Sequence, residues 1–193
     1  DYDHALDVWQ WVLRLAPMAG LAVQLAALFH DIERLVSEAE RRIEHTAPDY
    51  QAFKNAHAQQ GAKMAGEVLS ACGVDAATCA RVARLICEHE QPRSADRAGD
   101  LALLADADAL SFFSLNSPGF VDYYGAEHAR KKVRYSLGRM SSRAMRYLSC
   151  IRLREDVSRY LMETARAETR AALGSFVDEG ADRRVAANGG ASR

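Results

Sequence analysis

An apolar run that ends in two adjacent metal-ligating side chains constrains the fold of this chain more than any other feature. The run covers residues 25–29, and His30 and Asp31 follow it directly. An imidazole and a carboxylate at the end of an apolar helical segment would be buried, which is costly unless they are paired or bind a metal. Both groups are ordinary ligands of divalent first-row metals. The dipeptide therefore predicts a metal site to which other segments contribute ligands.

The rest of the chain is typical of an all-α protein. No alternating Val/Ile-rich segment predicts a strand, whereas Leu6, Trp9 and Leu13 recur at helical spacing. With 193 residues, 49% of them hydrophobic, and a net charge of −1, the chain can bury one core, and gross disorder is excluded. No apolar run reaches the ~18 residues of a membrane span. The four cysteines form no C-x-x-C pair, so we expect reduced thiols and a cytoplasmic protein.

Capping residues, glycines and prolines set the expected limits of five helices. We expect helices over residues 4–15, 21–40, 53–71, 76–88 and 101–115. Asp3 and Asp75 are the expected N-caps of the first and fourth helices, and Gly73 is the expected C-cap of the third. Residues 116–119, with the sequence Asn-Ser-Pro-Gly, predict a turn.

The C-terminal part of the chain is locally basic. Residues 127–159 contain ten lysines and arginines against three acids. We expect a long helix or a broken pair over about residues 127–173, with an apolar side that could pair with a second copy. One domain would then cover residues 1–173, with a metal-site core in 1–115 and basic helices in 120–173. Residues 174–193 are expected to be a disordered tail.

Three further histidines lie where the helices of a bundle could direct them towards one centre. His4 falls in the first turn of the first helix, His57 near the start of the third, and His89 at the end of the fourth. Asp106 and Asp108 interrupt an otherwise apolar helix, where lone carboxylates would be expensive without a cation. The two remaining histidines, His45 and His128, are expected at the surface.

The order of these residues resembles that of the HD-domain superfamily of metal-dependent phosphohydrolases. The resemblance covers residues 4 to about 115, and it implies an HD-type helical bundle that the basic C-terminal segment extends. The matching pieces are Asp3-His4, Phe29-His30-Asp31-Ile32, His57-x-x-x-Gly61-Ala62, Ile86-x-x-His89 and Asp106-Ala107-Asp108-Ala109-Leu110.

The resemblance also implies a binuclear site with a set of six ligands. The cofactors would be two divalent ions, for which iron, manganese, zinc and cobalt are all chemically suitable. The ligands of the first ion would be His4, His30, Asp31 and, in preference to Asp106, Asp108. The second ion would be held by His57 and His89, with Asp31 bridging the two ions.

Two positions depart from the H-D-I-G-K sequence of many binuclear members, because Glu33 replaces the glycine and Arg34 the lysine. Arginine still offers a charged fork for phosphate or carboxylate, although Glu33 could instead pair with it. Lys54 is a second candidate contact for an anion, and the basic segment could also cover the site. Asp106 or Glu33 could serve as general base, and we favour Asp106.

The function implied by the resemblance is hydrolysis of a nucleotide or small phosphate ester by a water activated between two metals. The partner would then be a small anionic, phosphorylated substrate. A second hypothesis is a di-iron oxygenase that uses the same ligands and O₂ to cleave a C–C or C–P bond. A third is a non-catalytic, metal-containing ligand sensor or nucleic-acid-binding module that uses the basic segment. The sequence does not separate these hypotheses, although hydrolysis is favoured.

Overall fold

The computed structural model describes residues 2–37, 48–91 and 99–167, and these parts of the chain are helical, without strands. The predicted all-α class is therefore confirmed. A π-helix, Phe112–Asn116, connects the sixth and seventh helices, and a short 3₁₀ turn, Leu148–Cys150, follows the eighth. A ninth helix, α9, begins at residue 155 and is described to residue 167. The other helices are α1 (Tyr2–Leu15), α2 (Leu21–Phe29), α3 (Arg34–Ser37), α4 (Tyr50–Ala71), α5 (Ala76–Glu88), α6 (Gly99–Ser111), α7 (Ser117–Arg139) and α8 (Ser142–Tyr147).

The caps around α5 confirm the local signals of the sequence. The Asp75 carboxylate accepts the backbone N–H of Thr78 at 2.9 Å and so begins α5. Gly73 has a φ of 80°, the left-handed conformation in which a helix such as α4 commonly ends. The other end of α4 lies earlier than predicted, because Asp49 accepts the N–H of Ala52 and caps the helix at Tyr50.

The predicted second helix is wrong in its length. α2 ends at Phe29, residues 30–33 form a turn, and α3 follows for only four residues. The turn tightens because the N–H of Ile32 bonds to the carbonyl of Phe29 at 3.1 Å, three residues back. This early end lets both His30 and Asp31 point towards the same centre. The last part of the predicted helix, residues 38–40, lies outside the described residues.

The C-terminal segment departs from the predicted turn and follows the broken alternative of the predicted helix. Residues 116–119 do not form a turn, because the π-helix leads directly into α7 and Pro118 occupies the first turn, where its missing N–H costs nothing. α7 ends at Arg139 because Met140 is extended, and Ser141 then caps α8. The basic segment is therefore a broken series of helices. The predicted tail, residues 174–193, lies outside the described residues.

Packing places α2 at the centre of the fold. α1 packs against α2 and α6, α4 packs against α5, and α2 also contacts α5 and α6. Small buried side chains on α2, among them Ala26 and Ala27, allow these neighbours to approach closely. The carboxyl end of α2 consequently lies among four other helices. Within the described ranges, the helices lack the combination of length and apolarity needed to cross a bilayer.

Candidate metal centre

Two histidines at helix ends point their Nε2 atoms into the centre of the bundle in the same way. His30 follows α2 and its Nδ1 bonds to the carbonyl of Ala27 at 2.9 Å, while His89 follows α5 and its Nδ1 bonds to the carbonyl of Ile86 at 2.6 Å. A carbonyl only accepts, so each Nδ1 carries the proton and each Nε2 has a lone pair available. The two rings are 5.4 Å apart between centroids.

His4 and two aspartates complete the surroundings of His30. His4 Nε2 lies 3.3 Å from Asp108 Oδ1 and 3.9 Å from Asp31 Oδ2, and His30 Nε2 lies 3.8 Å from each of the same oxygens. His30 Nε2 is buried and makes no hydrogen bond with any described residue. His4 is oriented from behind by Ser111, whose hydroxyl lies 2.9 Å from its Nδ1. The structure thus brings together the four side chains assigned to the first ion.

The protonation states of these groups suit a divalent cation. Burial lowers the pKa of His30, and it lowers the pKa of His89 to about 4, so both rings are neutral near neutral pH. Burial acts to raise the pKa of Asp31 and Asp108, but the neighbouring Arg34 and Arg139 respectively hold each pKa well below its usual range. Neutral imidazoles and ionised carboxylates are the forms that bind metals.

His57 lies on the other side of Asp31. Its Nε2 is 2.9 Å from Asp31 Oδ1, and its Nδ1 is 2.6 Å from Glu33 Oε2. Burial acts to lower the pKa of His57, but the hydrogen bond and charge of Asp31 outweigh it and raise the pKa. Gly61, one turn further along α4, faces the end of α2, and a Cβ there would lie 3.4 Å from the His30 carbonyl oxygen, an ordinary contact. The Asp31 carboxylate therefore lies between His57 and the His4–His30 pair.

A second acidic group surrounds His89. His89 Nε2 is 3.6 Å from Glu90 Oε1, and suitable atoms of His89, Glu90 and Asp108 all lie within 4.8 Å of one another. The atoms of His4, His30 and Asp31 meet the same criterion. Two buried groups of ligand type can therefore hold metal ions. The grouping differs from the expectation in one respect, because His89 is clustered with Glu90 and Asp108, whereas His57 contacts Asp31 and Glu33.

Glu90 and Arg139 are the site residues that sequence reasoning missed. Arg139 Nη1 lies 3.0 Å from Asp108 Oδ2 and 3.2 Å from Glu90 Oε2, and its Nη2 donates to the His89 carbonyl at 2.9 Å. Tyr135 donates to Glu90 at 3.0 Å, and burial raises the pKa of this phenol to about 12. The available signal was local: Glu90 follows a candidate ligand directly in the sequence.

The two side chains that were predicted to contact a bound anion, Arg34 and Lys54, form ion pairs with carboxylates of this chain. Arg34 Nε is 2.9 Å from Asp31 Oδ2, and the buried Lys54 Nζ is 2.6 Å from Glu90 Oε1. Glu33 contacts His57 Nδ1, as described above. Of the basic segment, Arg139 reaches the centre, whereas Arg130, Lys131 and Arg134 are exposed.

Both carboxylate oxygens of Asp106, the favoured general base, accept hydrogen bonds from Ser141. Oδ1 accepts the backbone N–H of Ser141 at 2.7 Å, and Oδ2 accepts its hydroxyl at 2.5 Å. Because Ser141 is the N-cap of α8, Asp106 joins α6 to the start of α8. Asp106 belongs to neither metal-type group, so this geometry favours a structural role and Asp108 as the ligand.

An apolar cavity of about 390 Å³ opens beside Asp31. Tyr2, Ala5 and Leu6 of α1 form one wall. Leu28 and Phe29 of α2, Ile32 of the turn and Leu35 of α3 form the rest. Asp31 is the single charged residue among the described residues that line the cavity. The candidate centre therefore has access to a space of the size that small ligands occupy.

Comparisons with known proteins identify a family and no function. A search of curated proteins and a search of solved structures each returned no significant match. One family model matches residues 1–161, a span that includes every residue of the candidate centre. The chain therefore belongs to the family described as "Domain of unknown function (DUF4202)".

Proposed function

We propose that this protein is an HD-type metal-dependent phosphohydrolase that acts on a small phosphate ester through two divalent ions. The observation that carries the proposal is the position of Asp31. Its carboxylate lies between His57 on one side and His4 and His30 on the other. A carboxylate placed in this way is suited to bridge two cations, and two-metal sites are typical of phosphate-ester hydrolysis.

The donor set supports this assignment. His4, His30, Asp31 and Asp108 would hold the first ion, and the buried Nε2 of His30 lacks the hydrogen bond that such a group otherwise needs. For the second ion the resemblance implies His57 and His89 with the bridging Asp31, and the described geometry adds Glu90 and Asp108 beside His89 while His57 contacts Asp31. When bound, the ions would supply Lewis-acid polarisation of a phosphoryl oxygen and a nucleophilic water at neutral pH.

The side chains around the ligands orient them and balance their charge. Arg34 on Asp31 and Arg139 on Asp108 keep both carboxylates ionised. Arg139 contacts Asp108 Oδ2 and leaves Oδ1 facing His4, whereas Arg34 contacts Asp31 Oδ2, the oxygen that also faces His4 and His30. Ser111 and the carbonyls of Ala27 and Ile86 fix the ring orientations. Arg34, paired with Asp31 at 2.9 Å, would place a positive charge next to a phosphoryl group held at Asp31.

The test measures metal content and phosphate release together. Wild-type protein, His30→Ala and Asp31→Asn are loaded with manganese or iron, and the exposed His128→Ala serves as a matched control. We expect both site variants to lose bound metal and to release phosphate at the background rate, with the control unchanged. Full activity in either site variant would refute the assignment. Oxygen consumption by a di-iron form without phosphate release would replace it with the oxygenase hypothesis.

A further inference from the structure

The lining of the apolar cavity beside Asp31 indicates the chemical class of the substrate, which the metal ligands alone do not. Asp31 belongs both to the candidate metal centre and to the cavity lining, so the cavity adjoins the centre at this residue. Its rim is open, because Tyr2 and Leu35 are 73% and 66% exposed. A molecule that fills the cavity would therefore place one end next to the Asp31 carboxylate.

The chemistry of the lining argues against a nucleotide base in this space. Recognition of a purine or pyrimidine depends on hydrogen bonds to its edge, and buried polar groups without partners are costly. Among the described lining residues, the Tyr2 hydroxyl is the one neutral side-chain group that could make such a bond, and it lies at the exposed rim. Leu6, Leu28, Phe29 and Ile32 offer only apolar surface.

The charges around Asp31 define the other half of the ligand. Asp31 lines the cavity and also belongs to the group of His4, His30 and Asp31, and Arg34, outside the lining, lies 2.9 Å from its carboxylate. An anionic head would meet the Asp31 end, while an apolar body would cover the lining. The volume of about 390 Å³ is near the lower limit of ligand pockets, which are roughly 300–1,000 Å³.

We infer that the substrate is a small phosphate monoester with an apolar alkyl or aryl group, which occupies this cavity, rather than a nucleotide. The inference rests on the proposed phosphohydrolase function and narrows its substrate class. The phosphoryl group would lie at the Asp31 end, and the alkyl or aryl group would lie against Leu6, Phe29 and Ile32. Each methylene that leaves water in such a site strengthens binding up to about fourfold.

The test is binding of non-hydrolysable phosphonates to the manganese-loaded full chain, measured by calorimetry. We expect butyl- and phenylphosphonate to bind at least about tenfold more tightly than methylphosphonate, and adenosine monophosphate to bind more weakly than butylphosphonate. Leu6→Gln should remove the preference for butyl over methyl without changing the affinity for methylphosphonate. Leu35→Gln, at the exposed rim, is a second variant that leaves the core intact. Leu21→Gln, exposed on α2 and outside the cavity, is the control and should behave as wild type.

The outcomes separate the two proposals. Equal affinity for methyl- and butylphosphonate, or a preference for adenosine monophosphate, would overturn the apolar substrate class and leave the phosphohydrolase proposal standing. A chain-length preference that persists in both Leu6→Gln and Leu35→Gln would also overturn the assignment to this cavity. Failure of the metal-loaded protein to bind any of the phosphonates would overturn the phosphohydrolase proposal, and the substrate class with it.

Discussion

Arg139 holds the two acidic groups of the candidate centre in place. Its guanidinium contacts Asp108, Glu90 and the His89 carbonyl, and it is 6% exposed. Burial alone would lower the pKa of Arg139, but the two carboxylates raise it above its ordinary value, so the charge is permanent. The side chain thus compensates buried negative charge, which would otherwise be strongly destabilising.

We expect replacement of the Arg139 side chain to destabilise the folded protein. Arg139→Met should lower the free energy of unfolding by about 3 kcal/mol, because two buried carboxylates lose a partner. Arg134→Met, on the exposed side of the same helix, should change it by no more than about 0.5 kcal/mol. Urea unfolding of the chelator-treated proteins measures both. Equal effects of the two variants would contradict the role assigned to Arg139.

Substitution of Asp106 tests whether this residue has a structural or a catalytic role. Asp106→Asn weakens the two hydrogen bonds from Ser141, so we expect a loss of stability of about 1–3 kcal/mol with bound metal and turnover per folded molecule retained. Ser141→Ala removes one of the same bonds and should act in the same direction. A stable Asp106→Asn protein without turnover would instead identify Asp106 as the general base.

Residue types and the resemblance predicted the first group of candidate ligands, but not the contacts that neutralise it. Candidate ligands could be marked because buried imidazoles and carboxylates require a partner or a metal. The resemblance to the HD-domain superfamily then implied that His4, His30, Asp31 and Asp108 share one ion. Glu90 and Arg139 could not be paired in advance, since their contact depends on how α7 crosses the end of α5. Arg34 and Lys54 were recognised as cations, yet their partners within the chain follow only from the tertiary packing.

At the scale of helices, the contact of α4 with the end of α2 fixes the geometry of the site. Gly61 on α4 faces the His30 carbonyl, and a Cβ there would lie 3.4 Å from that oxygen and 3.8 Å from Glu33 Cβ. One methyl group fits at these distances as an ordinary contact. A longer side chain would separate α4 from α2 and move His57 away from Asp31.

Substitutions at two glycines of α4 test this contact. Gly61→Ala should be tolerated, and Gly61→Leu should cost about 1–3 kcal/mol of stability and lower the affinity for manganese. Gly66→Leu is the matched control on the same helix, because a Cβ there would meet nothing within 4 Å. Thermal unfolding with and without manganese measures both effects. Normal metal affinity in Gly61→Leu would show that the distance between α4 and α2 does not control the site.

The helices themselves were predicted best where their ends carry local signals. Asp75 and Gly73 marked the boundary between α4 and α5 because capping bonds and a positive φ act within a few residues. The end of α2 was missed because the apolar and charged pattern continues through residues 30–37, while the chain turns to satisfy contacts with distant helices. A break in the C-terminal helix was one of the two predicted alternatives, but its position after Arg139 was not predicted, since the Asp106 contact with Ser141 is formed between α6 and α8.

At the scale of the whole molecule, the candidate centre joins elements that are distant in sequence. His4 comes from α1, His30 and Asp31 from the end of α2, His57 from α4, His89 from the end of α5, and Asp108 from α6. Ions bound by these side chains would tie five helices together. Because a ligand that binds only the folded state stabilises it, metal binding should be visible as global stability.

We therefore expect bound metal to raise the melting temperature, which thermal unfolding in the presence and absence of metal measures. At about one hundred times the dissociation constant, one bound ion contributes about 2.7 kcal/mol, which should raise the melting temperature by about 5–10 °C for a chain of this size. The chelated protein should remain folded at ambient temperature, because Arg34, Lys54 and Arg139 already compensate the buried carboxylates. His30→Ala should lose the metal-dependent increase, and His128→Ala should retain it. An equal increase in wild type and His30→Ala would mean that the metal binds and stabilises the fold elsewhere, and the assignment of His30 as a ligand would then be wrong.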